Sequence, residues 1–445
     1  MAVVKPFNAF VYDTEKIADL SAVVSPPYDV IPLSLQEELY QRHPWNFVRL
    51  ILGKEYPSDS GSESRYTRAC RDFSDWIDKG VFRRLQEKSF FICELEFLTP
   101  GGIKKIRTDI LSLVKLEDYS KGVIIPHEKT LLCPKLDRLN LMKAVNAHLE
   151  PLFFLYEDGN SRIKAVLERH KSFKPLFEFA NGEGIIHRLW QINDSGDIKK
   201  IESFFKSKKL FIADGHHRYE TALNYCMEKN GTSLNITGRK PYHYCMAALT
   251  EMNDEGVVIL PTHRLIKDIA PEVLKDFPGN LTSIFWVEKF EGMLDKLLNL
   301  MESEHEKKVF ALIIAKKGLY FRSAEATAST GNPVEIYYLK LKEDTFSNGL
   351  HPGRMLDVSI LHDFILDKFL GISARDIELH KFVHYIRSPE EAMEKVKRGE
   401  FQMAFLLNPT KIQEVKNIAL AGGKMPQKST YFHPKLTSGL VIYKF

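Results

Sequence analysis

Apolar and polar positions follow two rhythms along this chain. Cys70, Phe73, Trp76 and Ile77 recur at helical spacing and Gly80 closes the run, which predicts a helix over 66–77. Apolar runs predict strands over 90–97 and 106–114, while the Ser, Gly and Asp residues of 56–64 mark a surface loop between elements. Beyond them the pattern predicts a helix over 135–147, a strand over 152–156 and a helix over 161–170. In the last third, strands are expected over 257–260, 309–314, 319–322 and 402–407, with helices over 355–370 and 412–420. Leu356, Ile360, Phe364 and Leu370 form the inward face of the first of these helices, and a loop rich in Gly and Pro follows over 422–435. Neither an internal repeat nor a low-complexity tract interrupts the series.

Strands alternating with helices indicate an α/β (α+β) chain. At 445 residues it exceeds one ordinary core. Three regions are expected: a mixed α/β N-terminal region over 1–118, an α/β core over 119–250, and a C-terminal α/β region over 251–445 that carries the 422–435 loop. Hydrophobic residues at 44% and charged ones at 27% argue for packed structure over disorder. The net charge is only +4 and no long basic tract occurs, so composition gives no reason to invoke a nucleic-acid partner. Cys70, Cys93, Cys133, Cys226 and Cys245 are odd in number and lack zinc spacing, as expected of reduced thiols in a cytoplasmic protein. The first residues lack the apolar core of a signal peptide, and no apolar run approaches membrane-spanning length.

The stretch 210–223 carries the most specific chemistry. Leu210 to Ala213 read as a buried strand that stops at Asp214-Gly215, after which His216, His217 and Arg218 open a helix. Gly215 can take the positive φ of a sharp strand-to-helix turn. The first N–H groups and the dipole of the helix then favour an anion, and Arg218 adds a planar fork suited to phosphate. A capped surface turn, with Asp214 as N-cap and the histidines solvated, is the alternative. Upstream, Pro126-His127-Glu128 sets a glutamate on a proline-fixed loop, where it can serve as a general base or ligate magnesium. Near the other end, Lys428, Ser429 and Thr430 offer charge and hydroxyl donors for a carboxylate or phosphate, and the glycines and prolines around them suit a closing loop. The double proline before Tyr28-Asp29 fixes a turn that is either structural or part of a site wall.

Asp214-Gly215-His216-His217-Arg218 resembles the phosphate-binding turn of the ParB/sulfiredoxin superfamily, and in particular that of its ADP-dependent free serine kinases. Pro126-His127-Glu128 is similar to the segment that carries the catalytic base of those kinases. Pro426-Gln427-Lys428-Ser429-Thr430 is similar to their Pro-Lys-Thr-Thr-type loop, which helps hold serine. The three motifs occur in the same chain order. Over nearly its full length the chain also resembles a widespread bacterial family of unknown function, through Pro-Pro-Tyr-Asp-Val, the two central motifs and Leu-Asp-Val-Ser-Ile-Leu-His at 356–362. It departs from the kinases in a longer interval between Glu128 and Asp214, in the segment 185–192, and in an N-terminal region without kinase counterpart.

The resemblance implies a ParB/sulfiredoxin-like core and phosphoryl transfer from ATP or ADP with Mg2+ to a small hydroxylated metabolite, best matched by free L-serine, or the reverse reaction. It implies catalytic roles for Glu128, Asp214 and His216, phosphate binding by Gly215, His216, His217 and Arg218, and substrate binding by Lys428, Ser429 and Thr430. Two rivals stay open. One is a phosphomonoester phosphatase in which Glu128 activates water; the other is a nucleotide-responsive binding protein, against which the lack of a helix-turn-helix pattern counts. His187-Arg188 and His263-Arg264 are expected to be hydrogen-bonded structural residues.

Overall fold

The computed structural model describes residues 1–128, 130, 132–231, 236–275, 277–316, 333–343, 356–379 and 381–445. The strand expected over 319–322 lies outside them. The chain forms two compact units that are not sequential: the first comprises Met1–Pro126, Thr130–Val258 and Phe432–Phe445, the second His127–Lys129 and Ile259–Tyr431.

The first unit is built on a nine-stranded sheet. Its strands run in the order Ile124–Ile125, Leu210–Asp214, Leu152–Tyr156, Tyr244–Glu251, Lys104–Lys115, Phe90–Leu98, Ile186–Ile192 and Phe177–Ala180, with Val4–Lys5 also joined to Lys104–Lys115. Pairing is parallel where Leu210 meets Ile124 and where Ala247 meets Leu152, and antiparallel elsewhere. The expected strands over 90–97, 106–114 and 152–156 are present. Tyr244–Glu251, by contrast, gives no strand signal in the sequence. Its residues up to Thr250 are all buried, so it lacks the alternation of a half-exposed strand, and its Met-Ala-Ala-Leu run favours helix.

Helix Arg65–Asp78 starts where Ser64 accepts from the Thr67 N–H and the Thr67 hydroxyl accepts from the Ser64 N–H, a reciprocal cap. It buries Phe73 and Trp76 in a cluster with Phe47, Phe82 and Leu141. Helices Leu132–Val145 and His216–Lys229 pack on one another beside a larger cluster containing Phe90, Phe154, Phe205, Tyr219 and Leu249. Fully burying side chains of this kind contributes roughly 1.5–3 kcal/mol each.

The second unit is an antiparallel six-stranded sheet in the order Phe285–Lys289, Val334–Leu341, Val309–Ala315, Met403–Leu407, His263–Ile266, Val383–Ile386. Alternation along Val309–Ala315 sends Phe310, Leu312 and Ile314 to a cluster with Ile365 and Leu366, and Ala311 and Ile313 to one with Leu297 and Val396. Both faces are therefore covered. The helix expected over 355–370 is a short α-helix, Asp357–Ile360, that continues as a π-helix, Leu361–Phe369. The wider π turn changes which positions face inward: Leu361, Ile365 and Leu366 are buried while Phe364 is only half-buried. Among the described residues Cys70, Cys93, Cys226 and Cys245 are free thiols, and no helix is long and apolar enough to cross a membrane.

Candidate phosphate turn and candidate base

The buried strand Leu210–Asp214 delivers the chain to Gly215, whose φ of 93° and ψ of 29° lie in the left-handed region. A Cβ there would approach Leu152 Cδ2 to 2.8 Å and the Arg218 guanidinium to 3.1 Å, so glycine is required on both conformational and steric grounds. Helix His216–Lys229 follows at once. Its N-cap is Gly215, which supplies no side-chain cap, so the end of the dipole is not blocked by the glycine itself. His216 is buried and His217 half-buried.

Asp214 does not cap this helix. Its carboxylate accepts from Arg218 Nη2 at 2.9 Å and from Lys435 Nζ at 2.6 Å. Arg218 spends its other arm on the Pro151 carbonyl at 2.7 Å. Burial works to lower the Arg218 pKa, but the carboxylates of Glu150, Asp214 and Asp29 outweigh it and hold the guanidinium charged. The cavity it shares with Arg138, Glu150, Leu152 and Thr221 measures only about 40 Å³, room for water and not for a metabolite.

The Pro-Pro-Tyr-Asp turn belongs to the same site. The Tyr28 N–H donates to Glu150 Oε1 at 3.2 Å, and the Arg138 guanidinium lies 3.9 Å over the Tyr28 ring. Burial pushes the Tyr28 hydroxyl well above its ordinary value, with Arg138 and Arg218 opposing and Asp29 and Glu150 adding to the rise. Arg138 also donates to the Ile51 carbonyl at 2.8 Å and to Asp137. The final segment completes this network from the far end of the chain. Ser438 donates to Glu150 at 3.0 Å, and the buried Arg107, paired with Asp109, donates to the Pro434 carbonyl at 2.8 Å, which fixes the residue before Lys435. One helical turn beyond His216, Glu220 accepts from Thr130 at 2.7 Å and Lys135 at 2.8 Å.

In the second unit the Pro-His-Glu segment and the closing loop come together. The Met425 N–H donates to the His127 carbonyl at 2.7 Å, Glu128 bridges Met425 in parallel register, and Thr430 Oγ1 lies 3.4 Å from His127 Nε2. Lys428 adopts a φ of 56° and its carbonyl accepts from Arg264 Nη2 at 3.2 Å. The Ser429 hydroxyl donates to Pro426 O at 2.6 Å and its carbonyl accepts from Thr410, so Ser429 is an internal tie of the loop. Arg264 is fully buried, donates its other arm to the Thr262 carbonyl, and sits 5.3 Å from the Tyr385 ring. It forms no ion pair among the described residues, and burial lowers its pKa to about 10. Burial also raises the Tyr385 hydroxyl, against Arg264 and with Glu128.

The structure thus places Asp214, Gly215, His216, His217 and Arg218 in the first unit, and Glu128, Lys428, Ser429 and Thr430 in the second. Sequence reading did not single out Glu150, Lys435 or Tyr385. Glu150 precedes a proline at the start of a strand and Lys435 follows one in a basic loop, contexts shared by many surface residues. Among the described residues, His127 and Glu128 in the second unit and His216 in the first each offer a ligand atom of the kind that can hold a metal ion. Arg218 and Lys435 beside Asp214 oppose a further cation there.

A search of curated proteins finds no match. Among solved structures, a conserved hypothetical protein from Pyrococcus furiosus is 14% identical, with a TM-score of 0.34 over 75% of this chain and 94% of its own. A free serine kinase in complex with AMP is 13% identical, with a TM-score of 0.34 over 74% of this chain and 88% of its own. SbnI with C-terminal truncation from Staphylococcus aureus is 9% identical, with a TM-score of 0.34 over 74% of this chain and 85% of its own. Likenesses this distant carry no argument about activity. A family model, in contrast, matches residues 4–359, most of the length, and by that match the chain belongs to the family described as Protein of unknown function (DUF1015).

Proposed function

We propose that the protein transfers a phosphoryl group between a nucleotide and the hydroxyl of a small metabolite, best matched by free L-serine and O-phospho-L-serine. The observation that carries this reading is the Gly215 turn, a left-handed glycine that opens a 14-residue helix. The helix N-terminus, with His216 and His217, would bind nucleotide phosphates and offset charge on the transferring group. ATP or ADP would bring magnesium with it as part of the substrate. Asp214 would hold Arg218 and Lys435 in place, leaving their positive charge near the turn.

Glu128 would accept the proton of the substrate hydroxyl as its oxygen bonds to phosphorus and the bond to the leaving nucleotide breaks. Lys428 and Thr430 would hold the metabolite, and Ser429 would shape their loop. The reaction requires base and turn to act on one pair of substrates. Phosphorus NMR of the protein with magnesium, L-serine and either ATP or ADP tests this, beside Glu128→Gln. The expected result is O-phosphoserine from the parent and at least a 100-fold slower reaction in the variant, at the lower end of what a positioned base supplies. Release of free phosphate from added phosphoserine, without transfer, would replace the proposal with the phosphatase reading; no turnover of any kind would leave the binding-protein reading.

A further inference from the structure

On the first unit, a groove of about 590 Å³ is lined by Lys5, Arg84, Lys88, Arg239, Lys240 and Lys444, and no aspartate or glutamate lines it. None of these six side chains forms an ion pair among the described residues. Elsewhere in this unit some basic groups do find carboxylates, as Lys115 does with Glu117 at 2.8 Å and Arg188 with Glu94 and Glu96, whereas here six gather without one. The whole chain carries a net charge of only +4, less than the charge gathered here, so the rest of the molecule is net acidic. A concentration of uncompensated cations in a concave site raises the local potential and draws anions.

The groove also has aromatic walls. Phe10, Tyr443 and Phe445 are half-buried and face it, and Tyr443 meets Phe7 and Phe445 edge to face at 5.7 Å. Surface lysines on a free loop would be a solvated patch. Here the loop carrying Arg239 and Lys240 is braced at three points. Tyr244 donates to the Gly238 carbonyl at 3.0 Å, the Gly238 N–H donates to His243 Nδ1 at 3.1 Å, and Tyr443 donates to the Pro241 carbonyl at 3.2 Å. Gly238 has a φ of +75°, and a Cβ there would lie 2.8 Å from the Tyr244 hydroxyl, so the backbone is drawn tight against that ring. A preformed wall loses less entropy when its cations bind.

We infer that this groove binds a small ligand that joins phosphates to a planar ring, of the nucleotide class, with Lys88, Arg239 and Lys240 on the phosphates and the Phe10, Tyr443 and Phe445 rings beside the base. The volume suits a ligand of that size, and base-on-ring contact is favourable for any base. None of the groove residues belongs to the phosphate turn, so the inference stands apart from the proposed reaction.

Equilibrium dialysis of the full chain with ATP at low salt tests it, comparing the parent with Lys88→Glu/Arg239→Glu/Lys240→Glu. These side chains are exposed, and an unchanged melting temperature confirms the fold. The variant is expected to lose one equivalent of bound ATP, with its affinity at that site falling about 100-fold. Binding unchanged in number and within twofold in strength overturns the proposal. At the site that the variant loses, ATP is expected to bind the parent at least tenfold more tightly than tripolyphosphate; equal affinity there rules out the ring contribution and with it the nucleotide class. An oligonucleotide that displaces ATP far below the concentration at which ATP itself binds would overturn the small-ligand assignment in favour of single-stranded nucleic acid.

Discussion

At Gly215 a single hydrogen in place of a side chain lets a strand end and a helix begin within one residue. Gly215→Ala adds a Cβ at positive φ and presses it on Leu152 and Arg218. The expected cost is about 1–3 kcal/mol of stability, read as a shift in the urea midpoint at constant slope. A change below about 0.5 kcal/mol, the size of an ordinary surface substitution, would mean that the backbone relaxes out of the left-handed region. Neighbouring residues show how context overrides composition. Arg218 looks like a free phosphate ligand in the sequence, yet both of its arms are engaged by Pro151 and Asp214. Arg264 looks like one more basic residue after an apolar run, yet it is fully buried and pairs with no carboxylate among the described residues.

Among the elements, the segment Phe432–Phe445 joins the first unit from the far end of the sequence. Phe432, Leu440, Val441 and Ile442 are buried, and Tyr443 and Lys444 pair with His148 and Ala147. Four such side chains contribute roughly 6–12 kcal/mol of burial, which matches the whole stability of a typical domain. A chain ending at Tyr431 is therefore expected to leave the first unit without a cooperative melt. Trp45, Trp76 and Trp190 lie in that unit, so intrinsic fluorescence shifted to the red at 25 °C reads the outcome. Emission and melting temperature like the parent's would show that the sheet closes without the segment. Smaller lessons hold at this scale too: the π-helix Leu361–Phe369 and the buried strand Tyr244–Glu251 escape pattern reading because both lack the periodicity on which it depends.

For the whole molecule, acid is the expected weakness. Burial lowers His148 to about 4 in the first unit and His187, His263 and His362 to about 3. Unfolded, the same rings titrate near 6.5. Between those values the unfolded chain takes up protons that the folded chain refuses, so stability is full above about pH 6.5 and falls as pH drops. Each histidine contributes about 1.4 kcal/mol per pH unit in that window. The melting temperature should fall steadily from pH 7 to pH 5, and a flat profile would mean that the rings are already charged in the folded state.

Much of the α/β pattern was legible because strands such as Phe90–Leu98 and helices such as Arg65–Asp78 carry local periodicity and local caps. The turn at Gly215 was legible because one glycine and one helix start sit side by side. Glu150, Lys435 and the interrupted path of the chain were not, since they depend on contacts between residues hundreds of positions apart. That interruption also governs how the protein is made. Lys435 and Ser438, which close the network around Asp214 and Glu150, leave the ribosome only after the whole of 259–431 has been synthesised. At ordinary translation rates that interval is roughly ten to thirty seconds, during which the nascent first unit waits unfinished. A ribosome that stalls within 259–431 thus releases a chain that cannot assemble this network, so its assembly reports that translation has passed through the second unit.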